Sequence, residues 1–300
     1  VGYWPLSHLR HVREYPEARF VVSRTPSFTP RLRELVGDPK PGQKRVLWLQ
    51  DAHYPDLDAG IAAEYDVIVC VSHWHKQVMH LQHGVPLDKM VVAYNFVIPD
   101  AYRVSNPPER RRHHMVWLSS PDRGINRLLR MWPRIRAALP DATLDIFYGW
   151  RGCAILGAGA QDGWQDRFTS TRREFDRLRC QPGIRERGMV PPAQLVREIL
   201  SASVWPYHTD FAETCCSSAL EVRAGGCVPV TSALAALNET AACAQGTLID
   251  PKVDDYDDQF LEAVVAACAT SDEERQRMSE EVCDRFSLDA IMPVWRRILD

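Results

Sequence analysis

The chain of 300 residues has no apolar run that reaches the ~18 residues a bilayer-spanning helix requires. No transmembrane segment is therefore expected. Its opening, VGYWPLSHLRHVREYPEARF, has no apolar signal core, and the expected location is cytoplasmic. The opening also lacks an initiating Met, which reads as a segment cut from a longer, multidomain chain. There is no basic excess: the formal net charge is −3, so no bulk field calls for nucleic acid or an anionic membrane. Nine cysteines are present without a single CxxC spacing, which argues against structural zinc and dithiol chemistry. Cys70 in DVIVCVS, Cys227 before VPV, and Cys243, Cys268 and Cys283 on helix-periodic stretches read as reduced thiols packed in a core. His73, His75, His80 and His83 have no acid or cysteine at a metal-ligand spacing, and read as a polar helix with core packing. No internal repeat or low-complexity segment is found.

What is present is an alternation. Hydrophobic residues at 45% and charged residues at 25% are those of an ordinary soluble globular protein, and the length favours two domains. Short apolar runs predict strands at 19–23, 45–50, 66–72 and 89–97. NPPERRRHH (106–114) interrupts the pattern as a linker would. Strands are predicted again at 115–120, 142–150, 187–190, 203–208, 227–232 and 246–251. Between them, GINRLLRMWPRIRAAL (124–139) has helical apolar spacing, and PPAQLVREILSAS (191–203) opens with proline as helices do. Strands alternating with helices predict parallel sheets covered on both faces. The expected architecture is α/β, with two doubly wound, Rossmann-like domains facing a cleft: 1–107, which is short, and 108–300. Such sheets bind ligands outside the carboxyl ends of their strands.

One strand-end loop stands out. SVWPYH is followed by TDFAETCCSSALE, with Glu213 expected to open a helix. An acid in a first turn is ordinary, because the helix dipole and free amides meet it. Here the residues that follow, Thr214, Cys215, Cys216, Ser217 and Ser218, are small, and would let a diphosphate approach the amides. Along a continuous helix Glu221 would stand roughly 12 Å from Glu213 and point about 80° away. That is too far for one acid–base pair, but suits an elongated ligand with a diol at each end, since carboxylates accept from vicinal hydroxyls. By itself, Glu221 reads as a solvated helix acid.

PYHTDFAETCCSSALEVRAGGCVPV resembles the E-x7-E signature of the family 4 (group 1) glycosyltransferases, with Pro206, Glu213, Glu221, Ala224, Gly226, Pro229 and Val230 in the corresponding slots and Val222 where the family has Ala. The stretches 71–97, 117–149, 237–251 and 286–300 are similar to further segments of that family. The resemblance implies the GT-B fold and transfer of a sugar from a nucleoside diphosphate sugar to an acceptor, with retention of configuration, no metal and no resident cofactor. It implies that Glu213 meets the hexose hydroxyls, Glu221 the ribose diol, and Arg123 the diphosphate as it leaves. Gly124 follows Arg123 as Gly follows Lys in the family. Ser119 and Ser120 stand where the family has a second basic residue; either their hydroxyls donate to phosphate or another cation substitutes. Gly149 would let a base or phosphate approach a strand end. The acceptor, a glycan, lipid or protein, would meet the first domain at QDAHYPDLD, where Asp51 or His53 would hydrogen-bond it. The plainer reading of that stretch is a polar loop. Asp56 and Asp58 also match a metal-binding D-x-D, in the wrong surrounding frame. The front of the chain departs from the family, which opens with a strand and a glycine-rich loop.

Two other functions fit a two-domain sheet protein. A nucleotide-sugar epimerase would need acid–base groups around the sugar, and only Asp51 and His53 offer themselves. A non-catalytic nucleotide-sugar-binding module is favoured by the short first domain.

Overall fold

The computed structural model describes residues 9–12, 14–150 and 164–300; the opening stretch 1–8 and Cys153 lie outside them. By contact the chain divides into two units. One comprises Val1–Asn95, Glu213–Cys215 and Asp289–Asp300; the other comprises Phe96–Ala212 and Cys216–Leu288.

The first unit holds a four-stranded sheet, β1 (Arg19–Ser23), β2 (Lys44–Trp48), β3 (Val67–Cys70) and β4 (Met90–Val92), in that order and parallel throughout. Side chains alternate between its faces, as the strand period of two requires. Phe20, Val22, Leu47, Ile68 and Cys70 enter one core with Leu32, Leu35 and Met79. Val46, Val69 and Ala93 enter another with Ile291 and Ile298 of the helix Leu288–Leu299. Trp48 meets Trp295 edge-on, ring centroids 5.1 Å apart. The helix His73–His83 starts where Ser72 accepts from the His75 amide and stops at Gly84, left-handed at φ 65°.

From the sequence the domain break is expected at about 107/108, with the tail in the second domain. Packing places the break after Asn95 and the last helix in the first unit. The reason is the apolar face of that helix: burying Ile291 and Ile298 on β2 and β3 stabilises by about 1.5–3 kcal/mol each.

The second unit holds six strands: β5 (His114–Trp117), β6 (Thr143–Phe147), β7 (Ile184–Gly188), β8 (Val204–Tyr207), β9 (Val228–Ser232) and β10 (Thr247–Ile249). Their order is β10-β9-β8-β5-β6-β7, all parallel. Every residue of β5, β8 and β9 is buried, because helices cover both faces. The chain walks from β5 to β7, returns to the other side of β5, and walks outward again. The reversal between β5 and β8 is the topological switch point of a doubly wound sheet, where strand-end loops part and leave a crevice.

Among the described residues no helix is long and apolar enough to cross a membrane. The eight described cysteines are free thiols; Cys70, Cys227 and Cys268 are buried, Cys243 and Cys283 partly so.

Candidate functional site

At the switch point, β5 runs into Leu118, Ser119 and Ser120, then a turn of 3-10 helix, Pro121–Arg123, then Gly124. Gly124 has φ 113°, and a Cβ there would lie 2.5 Å from the His208 carbonyl oxygen and 3.2 Å from the Thr209 Cα. Only glycine permits both that backbone and that contact. The loop after β8 rests on this turn: Thr209 Oγ1 donates to the Arg123 carbonyl at 2.7 Å and accepts from the Phe211 amide at 3.0 Å. The Arg123 guanidinium lies 4.3 Å from the Phe211 ring centre, a cation–π contact that gives the side chain a seat. Ser119 is buried and its carbonyl accepts from Trp117 Nε1 at 2.7 Å; the Ser120 hydroxyl donates to Asp122. Ser218 Oγ donates to the Leu118 carbonyl at 3.4 Å, tying the helix Ser217–Ala224 to the loop after β5.

That helix corrects an expectation. It begins at Ser217, with Cys216 as its N-cap and no acid in its first turn. Glu213 therefore lies in the preceding loop, and only the stretch from Ser217 to Glu221, about 6 Å of axial rise, follows helical geometry. Glu213 is buried, at 4% exposure. Glu213, Thr214 and Cys215 group by contact with the first unit, where Thr214 Oγ1 donates to the Gln50 carbonyl at 2.7 Å. Glu221 is half-buried. Burial raises its carboxyl pKa above the usual carboxylate range, and no hydrogen bond or ion pair to that carboxylate is present among the described residues. It is not the solvated acid that its position alone would suggest. Tyr102 lies close enough for the Glu221 charge to add to the burial that raises its phenol.

Beyond β6, Tyr148 and Gly149 both adopt positive φ, 81° and 79°. The Tyr148 amide donates to the Gly188 carbonyl at 3.1 Å, and a Cβ on Gly149 would stand 3.8 Å from the Gly188 Cα. A side chain would therefore fit in ordinary contact there, and it is the positive φ that favours glycine at this strand end. Tyr148 and Met189 leave these ends exposed, at 46% and 76%.

His208, just after β8, carries no motif that marks it in the sequence. Its ring sits 4.8 Å from those of Tyr256 and Phe260 and Nε2 meets Asp257 Oδ1 at 2.9 Å. Burial lowers its pKa against the pull of Asp257. The cavity beside it, ≈ 190 Å³, is lined by Arg127, Arg130 and Arg134. These are paired with Asp210, Glu174 and Asp258, so the cavity carries little uncompensated charge.

In the first unit the carboxyl ends of β1 to β3 gather Arg24, Asp51, Tyr54 and His75. Arg24, at φ 63°, is a non-glycine residue in left-handed backbone, with Nη1 3.8 Å from Asp51 Oδ1. Tyr54 Oη accepts from the Gln50 and Asp51 amides at 2.7 and 2.8 Å. Asp51 and His53 are exposed, and the His53 ring lies 5.6 Å from that of His83. Asp58 is committed to capping the helix Ala59–Ala63, accepting from the Ile61 amide at 2.8 Å, which takes up half of the D-x-D. Arg24, Tyr54 and His75 carried no motif; only their place at strand ends could have marked them.

Among the described residues one group has metal-ligand proximity: His114, Asp145 and Glu198, with ligand atoms within 4.8 Å of one another. It does not suit a cation. Arg185 binds Asp145 at 2.6 and 3.1 Å, and Arg187 binds Asp145 at 3.0 Å and Glu198 at 3.2 Å. The guanidiniums fill the carboxylate lone pairs and would repel a second positive charge.

No protein-family model and no curated protein sequence matches the chain. Solved structures do. The chain is similar to S. aureus TarM, solved as a variant with fondaparinux, α-GlcNAc-glycerol and UDP, with TM-score 0.68 and 12% identity over 98% of this chain and 59% of that one. It is similar to the pneumococcal O-GlcNAc transferase GtfA with UDP and GlcNAc, TM-score 0.67, 13% identity, over 98% of this chain and 58% of that one. It is also similar to Anabaena HepE with UDP and glucose, TM-score 0.69, 13% identity, over 97% of this chain and 79% of that one. The chain spans about three fifths of the length of TarM and GtfA. The likeness shows the fold: two Rossmann-like parallel sheets of the GT-B class.

Proposed function

We propose that the chain is a glycosyltransferase that moves a sugar from a nucleoside diphosphate sugar to an acceptor hydroxyl on a glycan, lipid or protein. It does so in the cytoplasm, with retention of configuration and with neither metal nor resident cofactor. The nucleotide sugar is a co-substrate. The observation that carries this reading is the convergence at the β5/β8 reversal of Arg123, the Gly124 turn and the helix Ser217–Ala224. A diphosphate there meets a guanidinium and the helix amides, including those of Cys216 and Ser217. Glu221 supports the same reading: a half-buried carboxylate without a protein partner among the described residues is costly unless a ligand supplies hydrogen bonds, and a ribose diol supplies two. That TarM, GtfA and HepE were solved with UDP favours a uridine donor as the first to test.

In this mechanism the bond from the sugar C1 to the diphosphate breaks as the acceptor oxygen bonds to C1, and the acceptor proton passes to a donor phosphate oxygen. Arg123 and the helix amides stabilise the charge that develops on the leaving diphosphate. Ser119 and Ser120 line the same loop. Glu213, with Thr214 and Cys215 after it, serves the hexose, Gly149 the base side, and Asp51 or His53 the acceptor hydroxyl.

Incubating the chain with UDP-sugars and sugar, lipid and peptide acceptors tests the reading. Transfer, or slow release of UDP, is the expected result. An isomerised donor would make the chain an epimerase, and binding without turnover a binding module. Unchanged donor affinity in both Glu213→Ala and Glu221→Ala would remove the site assignment.

A further inference from the structure

His75 is fully buried, at 0% exposure, yet it is no filler: both ring nitrogens are engaged. Nδ1 accepts from the Val71 amide at 3.2 Å, and Nε2 lies 3.0 Å from the Asp51 carbonyl oxygen. An amide can only donate and a carbonyl can only accept, so the proton sits on Nε2 and the ring is neutral. Its backbone is placed by the Ser72 cap, whose Oγ accepts from the His75 amide at 2.9 Å. The loop after β2 is thereby hung on the loop after β3.

Asp51 is held from both sides. Its amide goes to Tyr54 Oη at 2.8 Å and its carbonyl to His75. Its carboxylate, 52% exposed, has among the described residues only longer approaches, 3.8 Å to Arg24 Nη1 and 3.4 Å to Tyr54 Oη. A fixed backbone carrying an open acceptor is how a protein aims a carboxylate at an incoming hydroxyl. An apolar side chain would fill the same buried space without reaching the Asp51 carbonyl.

We propose that His75 is the positioning residue of the acceptor side: as a neutral Nε2–H donor it sets the aim of Asp51 at the acceptor hydroxyl. This rests on the proposed role of Asp51. Burial holds the ring pKa down to about 4, so the neutral ring, with Nδ1 accepting and Nε2–H donating, persists at neutral pH.

Two variants divide the ring's contacts. His75→Gln keeps a donor at the Nε2 position; His75→Asn keeps an acceptor at the Nδ1 position and loses the donor. His75→Asn is expected to speed amide exchange across Gln50–Ala52 and to lower kcat with acceptor by about 10–100-fold. UDP release without acceptor should stay near wild type, and His75→Gln should restore transfer. Unchanged exchange at Gln50–Ala52 in His75→Asn overturns the proposal without any assay of activity. So does an equal fall in transfer and in acceptor-independent UDP release, which marks a merely structural role. Failure of the underlying reading is told apart by Asp51→Asn: if that variant transfers as wild type does, Asp51 has no acceptor role and the proposal falls with it.

Discussion

Gly124 and Glu221 carry opposite kinds of tension. At Gly124 the backbone is left-handed and the His208 carbonyl oxygen occupies the space of a Cβ. Gly124→Ala should cost about 1–3 kcal/mol from the backbone alone and shift the Arg123 turn, read as a lower urea midpoint together with weaker UDP binding. At Glu221 the tension is electrostatic, since burial alone raises the carboxyl pKa. Glu221→Gln keeps the shape and removes the buried charge. It should fold with an equal or higher midpoint while donor affinity falls about tenfold, a charged hydrogen bond being worth ~1.5–3 kcal/mol. Calorimetry on the folded variant measures both. Gly124 was legible in the order Arg-Gly before a helix. The strain on Glu221 was not, because it comes from what packs around the helix.

At the scale of elements, the helix Leu288–Leu299 completes the first sheet. Lys44 Nζ donates to the Ile298 carbonyl at 3.0 Å, and Arg19 reaches the Leu299 carbonyl, so cations from β2 and β1 satisfy its last carbonyls. Ile298→Ala should destabilise by about 2–5 kcal/mol, with faster amide exchange in β2 and β3 by mass spectrometry as the localising measurement. The strand series is the part of the fold most legible in sequence: 19–23 coincides with β1, and the other apolar runs overlap their strands. Boundaries were less so. The run 187–190 holds only the end of β7, which extends back to Ile184 through Arg185 and Glu186; both side chains make ion pairs, so its polarity hid the strand. The acid at 213 looked like a helix start because a first turn welcomes acids; the cap fell to Cys216 instead.

For the whole molecule, buried histidines set the response to acid. Burial holds His75 and His114 down to about 4, against the ~6.5 of an unfolded chain. Between those values the unfolded state binds more protons, so stability is present above pH ~6.5 and is lost as pH falls toward 4. The expected slope is ~1.4 kcal/mol per pH unit for each ring. Glu221, raised on folding, works the other way: its contribution is present below the unfolded carboxyl pKa and lost as pH rises through the folded one. His208, whose pKa burial also lowers, works in the same direction as His75 and His114. Urea midpoints at neutral pH and at two acid values should decline toward acid, and His75→Gln should flatten part of the decline.

The residue order by itself determined the α/β class, the succession of strands and the motif around Glu213 and Glu221, because alternation, glycine and small-residue spacing are local properties of a chain. Only tertiary structure decided that Asp51 is held by His75, that the Gly124 turn rests on His208, and that the last helix belongs to the first sheet. Each of these joins residues distant along the chain through one hydrogen bond, one close backbone approach or one apolar face. Local periodicity carries no record of such a partner; the packing of the folded chain selects it.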